Sequence, residues 1–225
     1  MGQRWTNAGC MSWPQRSGRR CHHLILHGII TPSVVLGQCV YVVGGCGGNV
    51  RAVASVECLD LKRRRWSSLT DMPEAVYGQM VATYTNKIFV FGGKNTRHQA
   101  VARTQVFDPT KGQWSTQSDM TDVCDFGAAV TLNDCIYVMG GSSSTYLKYE
   151  PATDTWTRLS KPRESLADAP AVVWRGCILV SGGGWSNPES SVIQQYDPRT
   201  DTWSDWNTTL PVNLAGHAML TCNCC

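Results

Sequence analysis

The 225-residue chain is 42% hydrophobic, with 21 glycines and 9 tryptophans, and carries a formal net charge of +3. The apolar fraction supports a packed core, and abundant glycine without long helical periods favours an all-β chain full of turns. Arg4, Arg16, Arg19 and Arg20 place +4 in residues 1–28 with no acid, so the rest stands at −1 and exerts no general pull on nucleic acid or an anionic membrane.

Residues 1–28 match nothing later in the chain and are read as a non-repeat extension, expected to be disordered. They lack the apolar core and small-residue cleavage site of a secretory signal. The following run, LILHGIITPSVVL, is too short and too interrupted to span a bilayer. The expectation is an intracellular protein, in the cytoplasm or nucleus, with its cysteines kept as thiols. CHHLILH gathers Cys21, His22, His23 and His27, but structural zinc uses separated ligand pairs, so no metal site is assigned.

From about residue 29 the chain repeats. Diglycines close the apolar runs VYVVGG (Gly44, Gly45), IFVFGG (Gly92, Gly93), IYVMGG (Gly140, Gly141) and ILVSGG (Gly182, Gly183). One tryptophan follows each: Trp66, Trp114, Trp156 and Trp203, at spacings of 22, 22, 16 and 21 residues. From each of the first three tryptophans to the next diglycine the spacing is always 26. A spacing kept to the residue implies paired strands, whose register one insertion would flip, whereas the variable part is a loop that only has to reach.

Each unit reads as four strands. In the second these are GQMVATY (78–84), KIFVF (87–91), RTQVF (103–107) and QWSTQ (113–117), with tight turns at Thr85-Asn86 and FDPTKG. The units fall at about 30–70, 76–118, 125–160 and 168–206, and 214–225 reads as the opening of a fifth. Counting 26 from Trp203 projects the next diglycine to 229 and 230, past the last residue.

Four-stranded units with a diglycine and a distant tryptophan resemble the kelch repeat. The resemblance covers residues 29–225 and implies a β-propeller of four-stranded blades around a central channel. It also implies structural roles for the twelve signature residues: the glycines bend the chain after the second strand, and the tryptophans pack between blades. Relatives in the kelch-like family usually close six blades, so four and a fraction suggest an unclosed piece of a longer ring, such as a truncated isoform.

Cys39, Cys135, Cys177 and, on the projected register, Cys224 share one repeat position, where a thiol packs as a small hydrophobe. Positions held apart around a ring cannot share a metal. The basic turn Arg63–Arg65 is too short for a nucleic-acid patch, and the sequon at Asn207 matters only in a secreted protein. No nucleophile elbow, phosphate-cradling loop or zinc-protease motif is present. Kelch-bladed copper-radical oxidases need converging Tyr and His ligands that are not found here. No catalytic residue, cofactor or metal is therefore assigned.

What remains is binding. In the kelch-like family the propeller captures the protein to be ubiquitinated, while BTB and BACK domains, not found in this sequence, join the adaptor to a cullin scaffold. Actin-binding kelch proteins are the alternative. By the resemblance, partners dock on the face made by the loops after each diglycine and the loops leading into each first strand. Fourteen residues before the diglycine, some relatives carry an arginine that grips acidic peptides. This chain has Ile30, Gly78, Phe126 and Asp168 there. A mixed face of Tyr77, Arg97, His98, Asp125, Phe126, Asp168 and Trp185 is expected to take an aromatic or basic peptide.

Overall fold

The computed structural model describes residues 31–47, 50–164, 166–184 and 190–221. The first blade contains β1 (Ser33–Leu36), β2 (Cys39–Val43), β5 (Val56–Asp60) and β6 (Arg65–Ser68), with a small ribbon of β3 (Cys46–Gly47) and β4 (Arg51–Ala52) after its diglycine. The second is β7 (Met80–Tyr84), β8 (Lys87–Phe91), β9 (Thr104–Asp108) and β10 (Gln113–Gln117). The third is β11 (Gly127–Leu132), β12 (Cys135–Gly140), β13 (Thr145–Glu150) and β14 (Thr155–Arg158). The fourth is β15 (Ala171–Trp174), β16 (Cys177–Ser181), β17 (Ile193–Asp197) and β18 (Thr202–Asp205). All four sheets are antiparallel and pair their strands in chain order, as the repeat requires.

Alternation along the second strands builds the core. Ile88 and Val90 face the first blade and pack with Tyr41, Val43 and Val56. Phe89 and Phe91, one residue out of phase, face the third blade and pack with Ile136, Val138 and Tyr149. A period of two thus gives the second blade two apolar faces, each sealed by a neighbour. Burying one such side chain stabilises by about 1.5–3 kcal/mol.

First strands of successive blades lie side by side, and the Thr131 hydroxyl donates to the Thr83 carbonyl between β11 and β7 at 2.8 Å. Being an edge of its sheet, a first strand tolerates proline where it begins. Pro32 and Pro170 occupy equivalent places and still accept, from the Val43 and Ser181 N–H groups.

Tryptophan indoles tie the outer strands together. Trp114 Nε1–H donates to the Thr70 carbonyl at 2.9 Å, Trp156 to Ser118 at 2.9 Å and Trp203 to Ser160 at 3.0 Å. Each acceptor lies four residues past the previous blade's tryptophan. The residue two before each tryptophan is left-handed in all four blades: Arg64, Gly112, Asp154 and Asp201, with φ between 52° and 63°. Where this residue is Asp, the third strand supplies Tyr149 or Tyr196, whose hydroxyl donates to the carboxylate at 2.7 or 2.8 Å. Where it is Gly112, the third strand supplies Phe107, which has no hydroxyl to satisfy. The aromatic and the turn residue therefore match as a pair.

Both glycines of every pair also have positive φ. A Cβ on Gly140 would strike the Leu166 carbonyl of the next blade's approach, and one on Gly182 the Leu214 carbonyl. Glycine is thus required by backbone conformation and by close approach together. Gly93 N–H uses that closeness to donate to the Cys124 carbonyl at 2.7 Å.

The fifth unit corrects one expectation. A left-handed residue stands twelve positions after each of the first three tryptophans: Gly78, Phe126 and Asp168. After Trp203 it falls at Gly216, one residue late, and Gly216 N–H donates to Asp168 as Asp168 does to Phe126 and Phe126 to Gly78. Trp206 and Leu210 N–H groups bond Ile193 and Ser191, which places the extra residue among 207–209. A linker absorbs it without breaking any strand pairing. The shift removes the reason for aligning Cys224 with Cys39, Cys135 and Cys177, and Cys224 itself lies outside the described residues. Residues 214–221 form no strand. Cys39, Cys135 and Cys177 are unbridged thiols opening three second strands.

Candidate binding face

The linkers into the first strands and the loops after the diglycines meet at one edge of the sheets. Tyr77 and Lys94 form an antiparallel bridge there, each N–H donating to the other's carbonyl at 3.0 and 2.8 Å. Ser142 donates to Asp125 and Gly184 to Ala167 in the same way, so the repeat itself builds this edge.

Tyr77 and Phe126 are buried, at 5% and 7% exposure, and pack edge to face with centroids 6.1 Å apart. Cys46 and Ala52 of the β3–β4 ribbon complete the cluster. Phe126 adopts φ 55°, and its ring lies against Gly78, where a Cβ would sit 2.8 Å from it. Asp125 is 1% exposed; its Oδ2 pairs with Lys94 Nζ at 3.2 Å, and its Oδ1 has no hydrogen-bond partner. Lys94 Nζ also sits 5.4 Å from the Phe126 centroid, a cation–π distance. These three predicted residues thus form the frame beneath the face rather than its outer surface. With the Asp125 charge held by Lys94, they offer little acid to a basic peptide.

Of the predicted residues, Arg97 and His98 are exposed. Asn95 Oδ1 accepts the Arg97 and Gln99 N–H groups at 2.9 and 3.1 Å, curling the loop, and His98 takes φ 60°. His98 Nδ1 lies 3.0 Å from the Tyr77 hydroxyl, which ties the loop tip to the frame. Asp168 is half-buried on the neighbouring blade, beside Gly216. Trp185 lies outside the described residues. Lys94 was the residue the sequence did not single out. Its only signal is a cation directly after a diglycine, where the other blades carry Cys46, Ser142 and Gly184.

Reactive groups are held in inert settings. Burial, with the adjoining Asp125 charge, pushes the Cys124 thiol up to about 12, so it stays protonated. Ser181 Oγ lies 2.9 Å from His217 Nε2, but Ser181 is fully buried and His217 Nδ1 has no partner to orient the ring. Among the described residues no group of three or more His, Cys, Asp and Glu side chains could hold a metal, and no helix is long and apolar enough to cross a membrane. The CHHLILH run lies outside the described residues.

Comparison with known proteins agrees with this architecture. A solved structure, "Structure of YjhT", superposes with a TM-score of 0.71 at 17% identity, covering 84% of this chain and 68% of that one, which speaks to fold alone. No curated protein matches significantly. The sequence matches the KLHDC2/KLHL20/DRC7 Kelch-repeats domain over residues 31–223, nearly the whole repeat region. The chain is a kelch-repeat β-propeller protein and belongs to that family.

Proposed function

We propose that this propeller captures a polypeptide partner on the face carrying Arg97 and His98. The observation that carries the reading is the division of labour within that face. A buried frame of Tyr77, Phe126 and the Lys94–Asp125 pair holds a loop tip that exposes Thr96, Arg97, His98 and Gln99, all side chains able to donate hydrogen bonds. A fixed base with a donor-rich tip suits a partner offering carbonyls, carboxylates or aromatic faces. Asp168, half-buried on the fourth blade, adds one acid.

By its resemblance to kelch-like adaptors, the propeller would serve as the substrate-capturing part of a cullin-RING ubiquitin ligase in the cytoplasm or nucleus, wherever BTB and BACK domains are joined to it. The test is capture of partners from cell extract on the immobilised chain, read by mass spectrometry. Arg97→Ala with His98→Ala should remove a specific subset of bound proteins, and Lys87→Ala, on another part of the blade, should remove none. An identical bound set in all three samples overturns the reading.

A further inference from the structure

We propose that the seam between the third and fourth blades is a second binding site, which grips an extended polypeptide segment by its backbone amide. The same repeat position shows how the grip works elsewhere in the chain. Nine residues before Trp114, Gln105 is 1% exposed; its Oε1 accepts the Glu74 N–H at 2.8 Å and its Nε2 donates to the Glu74 carbonyl at 3.2 Å. A primary amide thereby clasps both polar groups of one residue in the linker from the preceding blade.

Nine residues before Trp203 stands Gln194, also 1% exposed, and its Nε2 is buried with no partner. Its counterpart for clasping would be Glu164, eight residues after Trp156 as Glu74 is after Trp66. That clasp is not formed. Instead a cavity of about 540 Å³ opens along Trp203, with Gln194 in its wall and Lys161, Pro162, Arg163 and Asp205 around it.

Pro162 accounts for the opening. In the first two blades the equivalent residues are Met72 and Met120, whose N–H groups donate to Ala54 and Ala102 at 2.8 Å and pin the linker to its own blade. Their side chains, 4% and 5% exposed, also plug the seam. Proline has no N–H and less bulk, so the third linker loses both the pin and the plug. An unpaired buried amide beside an open cavity is a costly arrangement that a guest amide would relieve. Lys161 and Arg163 at the mouth suit a guest with an acid beside the gripped amide, as Glu74 has.

A peptide copying residues 70–76 (TDMPEAV), acetylated and amidated, is the probe, because Gln105 grips this very segment. Titrated into the full chain, it should shift the Gln194 side-chain amide signals saturably by nuclear magnetic resonance and leave those of Gln105 in place. Gln194→Met should weaken binding at least tenfold. Pro162→Met, which restores pin and plug, should weaken it equally while the fold persists. His98→Ala should change nothing, so this site and the loop face fail or stand separately. The proposal is overturned if no signal of Gln194 moves, if only Gln105 responds, or if the Pro162→Met chain binds as well as the original.

Discussion

The seam between the first and second blades and the seam between the third and fourth are built from the same repeat positions but close differently. Near the channel they are alike: Gly45 N–H reaches Val76 at 3.0 Å and Gly141 N–H reaches Leu166 at 3.3 Å. Toward the rim they part. The first seam has Met72 as plug and Gln105 as clasp, with Arg103 between Glu74 and Asp119 at 3.5 Å from each. The other has Pro162, an idle Gln194 amide and a cavity. The repeat thus specifies the channel side strictly and leaves the rim free to vary. Room for function lies at the rim.

The largest effect is expected where the two seams agree. Gly140→Ala places a Cβ against the Leu166 carbonyl at a φ of 88° and should cost on the order of 4 kcal/mol in urea denaturation. Gly44→Ala meets mainly the ends of the Met72 and Gln79 side chains, which can swing, and should cost about half as much. Equal losses would mean that the Met72 and Gln79 side chains are held as firmly as the Leu166 backbone.

Next comes the clasp itself. Gln105→Met strands the N–H and carbonyl of Glu74 and should cost about 2 kcal/mol, whereas Gln194→Met removes an already unpaired amide and should stay within about 0.5 kcal/mol of neutral. Pro162→Met should raise stability by about 1 kcal/mol, the worth of one hydrogen bond with some apolar burial. A loss there would show that the third linker is fixed by something other than its proline.

The smallest contrast is in acid. Burial raises the Asp154 and Asp201 carboxyls, but bonds from Tyr149 and Ser118 to the first, and from Ser160 and Tyr196 to the second, outweigh it and leave both below the usual range. A lowered carboxyl stabilises the fold above the unfolded value, near 3.9, and that contribution fades as pH falls through the folded one. Urea midpoints measured from pH 6 to 2 should therefore decline below about pH 4. Asp154→Asn should flatten the decline, and Gly112, with no charge to titrate, gives the first seam no share in it.

Much of this fold was legible in the residues because strand register is rigid. KIFVF and QWSTQ coincide with β8 and β10, and a pairing error of one residue would have turned Phe89 and Phe91 away from the third blade. The extra residue at 207–209 was not legible, since a linker takes up length without any change in pattern. Burial at the face escaped for a related reason. Tyr77 and Phe126 meet across two blades and Lys94 reaches Asp125 across 31 positions, and no local period announces such contacts. Pro162 could be read as a break in the chain, but its effect on Gln194, 32 residues on, needed the seam in space.

The indole bonds have a direction, and direction matters to a chain that is made from one end. Trp114, Trp156 and Trp203 each cap a carbonyl 38 to 44 residues before them. At about 5–20 residues per second of synthesis, a finished blade waits roughly 2–9 s for the indole that locks its last strand. Until then its Thr70, Ser118 or Ser160 carbonyl is open to water or to a passing chaperone. Assembly should therefore advance as a ratchet, each blade latched by its successor, and a pause in translation just before a tryptophan codon would leave the latest blade unlatched for longest.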